Sequence, residues 1–159
     1  MTEVIPNYGE LNRKIERQLQ EARTKISNVV KSVFVDFLDK FPAVYGLGWT
    51  QYTPSWNDGE ACEFEVHELN LYLTEEAYNN DDSDQDVYGR YRSKPSADEL
   101  ERIEGVGGEQ EFRRILSHFA AVNAFFLKIN PEDMKFVFGD GAKVLSTRSN
   151  FKNFYYGEL

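Results

Sequence analysis

One apolar stripe constrains this chain more than any other feature. Leu11, Ile15, Leu19, Ala22, Ile26, Val30, Val33 and Phe37 succeed one another at steps of 4, 4, 3, 4, 4, 3 and 4. The spacing is an 11-residue repeat with a mean step of about 3.7, which suits a nearly straight α-helix rather than a left-handed coiled coil. Asn7 is placed to cap the helix, with Glu10 three residues on, and Phe41-Pro42 ends it because the residue before proline avoids the α region. A helix over 7–40 would be about 50 Å long at ~1.5 Å per residue. A compact domain of this chain length is roughly 40 Å across. The first half of the helix therefore either projects or breaks near Ser27-Asn28 and folds back. A projecting apolar stripe needs cover, and a second copy of the chain is the simplest cover, so we expect a homo-oligomer formed through residues 8–40.

The remaining pattern is mixed, and 159 residues suit one domain over 1–159. Residues 43–53 read as a strand with Ala43, Tyr45, Leu47 and Trp49 on one face. Over 60–73 the apolar residues sit at even positions (Cys62, Phe64, Val66) and then at odd ones (Leu69, Leu71, Leu73). A strand cannot exchange its buried face without an extra residue, so a bulge is predicted near His67-Glu68. Residues 74–95 read as a flexible acidic loop. Ser96 and Glu99 form a capping box opening a short helix to Gly105, and a second main helix is predicted over about 109–129. Asn130-Pro131 opens a helical turn to Phe138, and 142–156 reads as a hairpin turning near Ser149-Asn150. The fold class is α+β: about four antiparallel strands in two hairpins, with the long N-terminal helix and a second helix packed on one face.

Charge is distributed unevenly. Residues 1–40 hold seven Lys/Arg and six Asp/Glu, and residues 90–159 hold eleven and ten. Residues 41–89 hold eleven acids and no Lys or Arg, so the net charge of −9 belongs wholly to this middle segment. Such a block repels nucleic acid and anionic membrane, and attracts a basic protein surface. Glu63, Glu65, Asp81, Asp82, Asp84 and Asp86 are the candidate contacts. No apolar run is long enough for a membrane span, no signal peptide is visible, and a single cysteine excludes an internal disulfide. These features point to the cytoplasm.

Catalytic signatures are missing: there is no GxSxG, no GxxxxGK[ST] and no HExxH. Cys62 reads as core. His118 lies on the apolar side of the second main helix and reads as a packed histidine. Glu63, Glu65 and His67 share a strand face with the donor types of a divalent-metal site, although a solvated polar face explains them more simply. Asp82, Asp84 and Asp86 match the start of a calcium loop, but Val87 and Ser93 stand where glycine and a bidentate glutamate are needed. No cofactor is expected.

Trp49-Thr50-Gln51-Tyr52-Thr53-Pro54, with Asn57-Asp58-Gly59 and Cys62, Phe64 and Val66, resembles a small family of uncharacterised tailed-bacteriophage proteins with a pattern like WTQYTPxxNDGxxCxFxV. Phe138-Gly139-Asp140-Gly141 and Val144 are similar to a second patch of that family. The resemblance covers about a fifth of the chain and implies a viral accessory protein made in an infected bacterial cytoplasm. It implies no activity for any residue. The residues themselves suggest an architectural motif, with a positive-φ turn at 57–59 and Trp49 packing on the buried face of the next strand.

The expectation is a non-enzymatic accessory protein whose acidic segment engages a basic surface of a host defence or nucleic-acid-processing protein. Two alternatives are a virion component and a pocket protein that sequesters a small nucleotide signal. The pocket protein would stack a base on Trp49, Tyr52 and Trp56 and hold phosphate with Arg90 and Arg92.

Overall fold

The computed structural model describes residues 7–55, 59, 61–89 and 94–155. Helix α1 (Tyr8–Lys40) is continuous, and the Asn7 side chain accepts a hydrogen bond from the Glu10 amide at its start. It does not break near Ser27-Asn28. Only the C-terminal part of the stripe is covered: Val30, Phe34, Phe37 and Leu38 are buried, whereas Leu11, Ile15 and Leu19 are about half exposed (49%, 53% and 47%).

Strand β1 (Gly46–Tyr52) is the centre of an antiparallel sheet. One edge of β1 pairs with β4 (Ala142–Thr147), which pairs with β5 (Phe151–Tyr155). The other edge pairs with two short strands, β2 (Glu65–Val66) and β3 (Asn70–Tyr72). These strands replace the single one expected over 60–73, giving five strands where about four were expected. From Val66 to Asn70 the chain takes four steps while the facing stretch, Gln51 to Gly48, takes three. The surplus residue lies in the 67–69 segment, where the switch of apolar parity predicts it.

Leu47, Trp49 and Gln51 project from one face of β1 and meet the helical layer of α1, α4 (Glu109–Leu127) and α5 (Pro131–Phe138). Trp49 is the hub of this core. Its ring lies 5.8 Å from Phe34, 5.0 Å from Phe126 and 5.1 Å from Phe138. The α4 residues Phe112, Ile115, Phe119 and Val122 extend the same core. His118 packs its ring 5.1 Å from that of Phe41.

Two expectations fail here. Cys62 is exposed and Phe64 is only partly covered, because β2 is two residues long and reaches no further back than Glu65. The acidic stretch is not simply a flexible loop. Thr74 caps a five-residue helix, α2 (Glu75–Asn79), by accepting from the Ala77 amide. The following segment fastens to the outer edge of β3: Gln85 Oε1 accepts from the Leu71 amide, and Asp84 Oδ2 from the Leu73 amide. Side chains thus satisfy donors that would otherwise form an open sheet edge. Helix α3 (Ala97–Gly105) opens on the expected Ser96–Glu99 capping box.

Candidate functional site

The six acidic candidates do not share one surface. Asp84 is fully buried and accepts from Leu73 N, from Arg102 Nε at 2.9 Å and from the Arg102 terminal nitrogen at 2.8 Å. Burial pushes its carboxyl above the ordinary value, with the Leu73 amide and Arg102 acting in the opposite direction. Burial acts to lower Arg102, but its bond to Asp84 and the charges of Asp84 and Asp82 outweigh that and raise it. Asp84 is therefore a structural anchor and is unavailable to a partner. Asp82 binds the same guanidinium at 3.0 Å from a half-exposed position. Asp81 and Asp86 are exposed. Glu63 and Glu65 are exposed at the far end of the sheet, where Glu65 stands opposite Tyr52. Among the described residues, no group of three or more His, Cys, Asp or Glu is arranged to hold a metal ion, so Glu63, Glu65 and His67 do not form such a site.

The fold instead brings acids of the middle segment beside acids of α3. A cleft of about 410 Å³ is lined by Glu76, Asp82, Asp98 and Glu101, with Thr74, Asn80 and Arg102 among its other lining residues. Arg102, its one cation among the described lining residues, is already held by Asp82 and Asp84. Asp98 and Glu101 lie beyond the acidic run, and only the cleft they line together with Glu76 and Asp82 shows that they belong with it.

A second cleft, of about 440 Å³, opens on the sheet face away from the main helical layer. Its walls include Tyr52, His67, Asn70, Tyr72, Tyr78, Asp81, Ser83 and Lys143, over Gly48 and Thr50. The Tyr52 and His67 rings lie 4.5 Å apart at 37°, and Tyr72 meets Tyr78 edge-on at 5.2 Å. Burial, helped by the charge of Asp81, pushes the Tyr72 hydroxyl up to about 12, so it remains neutral at physiological pH.

The nucleotide-stacking trio is not assembled as expected. Trp49 is 1% exposed and points into the core, so it cannot stack on a base. Tyr52 lines the open-face cleft, while Trp56, Arg90 and Arg92 lie outside the described residues.

The sequence patches around Trp49–Thr53 and Phe138–Gly141 meet in space. Gln51, fully buried, accepts from Trp49 Nε1 at 2.9 Å and donates from Nε2 to the carbonyls of Met134 (2.9 Å) and Gly139 (2.7 Å). Asp140 accepts from the Thr53 amide at 2.8 Å and from its hydroxyl at 2.7 Å. The pair of patches therefore forms a latch between β1 and the end of α5. The Asn57 and Asp58 part of the predicted turn lies outside the described residues, while Gly59 has φ +84°. Among the described residues no helix is long and apolar enough to cross a membrane. No family model, curated protein or solved structure matches the chain.

Proposed function

We propose that the chain is a non-enzymatic accessory protein of phage origin that engages a basic surface of a host defence or nucleic-acid-processing protein. The observation that supports this reading is the cleft in which Glu76, Asp98 and Glu101 stand with Asp82 around a single, already neutralised arginine. Among the described residues Glu76, Asp98 and Glu101 have no ion-pair partner there, and such an excess of carboxylates favours a cationic partner and speeds its encounter. In this reading the exposed half of α1 joins two copies of the chain through Leu11, Ile15 and Leu19. A virion component would use the same helix in the same way.

The test is affinity capture from a bacterial lysate followed by binding isotherms with the purified captured protein. The triple variant Glu76→Lys, Asp98→Lys, Glu101→Lys should lose binding at least about tenfold while keeping its circular dichroism. Wild-type binding should weaken as salt rises. Unchanged affinity in the charge-reversed chain overturns the acidic-contact reading.

A further inference from the structure

The open-face cleft is independent of the acidic cleft, and its construction is that of a pocket. At Gly48 the strand carries no side chain where one would fill the face. A Cβ there would come within 2.9 Å of the Val144 carbonyl oxygen and 3.5 Å of the Tyr72 ring. The next residue on this face, Thr50, is short. Register places Asn70 opposite Gly48 and Lys143 opposite Thr50, and the His67 amide donates to the Thr50 carbonyl at 2.9 Å on the other side. Lys143 and His67 therefore stand two strand spacings apart, about 10 Å, across a low floor.

Lys143 and His67 both line this space. Lys143 Nζ lies 4.9 Å from the Tyr78 ring centroid and takes part in none of the ion pairs among the described residues. His67 Nε2 is shielded from solvent and has no hydrogen-bond partner. Asp81, at φ +53°, adds an acceptor at the rim, which favours a ring bearing an N–H and disfavours a highly charged anion.

We propose that this cleft binds a small planar heteroaromatic ring carrying one anionic group. The ring lies against the Tyr52–His67 and Tyr72–Tyr78 walls, a ring N–H meets Asp81, and the anion meets Lys143. A heteroaromatic carboxylate and a nucleoside monophosphate share this chemistry, and they are separated by the probes used.

The experiment titrates the full chain with orotate, UMP, uridine and inorganic phosphate, read by calorimetry and by the imidazole resonances. The chain has only two histidines, so His67 and His118 report separately. Orotate or UMP should bind and shift the His67 signals while leaving those of His118 in place. The tighter of the two identifies the anion. Uridine should bind at least about tenfold more weakly, and phosphate alone should not bind. Lys143→Gln should reduce the anionic ring to the affinity of uridine without altering that of uridine, and Lys152→Gln should change nothing. Tyr52→Leu should weaken both ring ligands; if that variant fails to fold, Lys143→Gln decides the matter. The proposal is overturned if neither anionic ring binds in the millimolar range, if phosphate binds as well as they do, or if Lys143→Gln binds as tightly as wild type.

Discussion

Replacing Gln51 with alanine would remove three hydrogen bonds at once, those with the Trp49 indole N–H and with the carbonyls of Met134 and Gly139. Urea unfolding should show a loss of about 2–4 kcal/mol, since buried groups left without partners bear their full desolvation cost. Asp84→Ala should lose about 3–5 kcal/mol in the same assay, because it leaves Arg102, whose side chain is 11% exposed, without its buried partner. Asp140 gives a pH signature. Its bonds to Thr53 hold the carboxyl below the ordinary value despite some burial, so its stabilisation is complete above about pH 4. That contribution fades as pH falls through the lowered value. Wild type and Asp140→Asn should differ in urea midpoint at pH 6 and converge towards pH 2. None of these partnerships was legible in the sequence. Asp84 meets Arg102 across 18 positions and Gln51 meets Met134 across 83, and no local pattern encodes a meeting at that distance.

Helix boundaries were legible because their signals are local. Asn7, Ser96 and Asn130 each accept a hydrogen bond from an amide two or three residues on, and each was identified as a cap from sequence spacing alone. Helix α2 was hidden within a run that reads as solvated acid, because its Thr74 cap is followed by too few residues to show a period. Strand β2 was overestimated because alternation at Cys62, Phe64 and Val66 looks like a buried face, yet the ladder with β1 reaches back only to Glu65 and leaves Cys62 and Phe64 outside it. The α1 stripe is legible as a period but not as a contact. Leu11→Ser, Ile15→Ser and Leu19→Ser together should leave the buried core intact, since these side chains are about half exposed, and should lower the thermal midpoint only as far as loss of pairing does. In light scattering the proposed pairing predicts a dimer for wild type and a monomer for the same triple variant. Equal masses would remove α1 from the account of self-association.

At the scale of the whole molecule, the segregation of charge along the chain does not survive as one acidic face. Among the described residues, folding spreads the acids of the middle segment over separate places, including the buried Arg102 anchor, the cleft shared with α3, the rim of the open-face cleft at Asp81, and the far end around Glu63 and Glu65. Affinity for a basic partner should therefore follow Glu76, Asp98 and Glu101, while Glu63→Gln, Glu65→Gln should leave it within about twofold in the same isotherms. Long-range attraction should weaken as ionic strength passes ~0.1 M, where the screening length is about 10 Å. The sheet is asymmetric in the same way. Its covered face is sealed by Trp49, Phe126 and Phe138, while Gly46, Gly48 and Thr50 leave the other face low enough to hold a cleft.

The surplus residue between β2 and β3 sets the phase of everything upstream of it. Deleting Glu68 would leave three steps facing three, so an unbroken ladder would keep Val66 opposite Gln51 and Asn70 opposite Gly48. Cys62, Phe64, Val66, Leu69, Leu71 and Leu73 would then alternate without interruption along one straight ribbon.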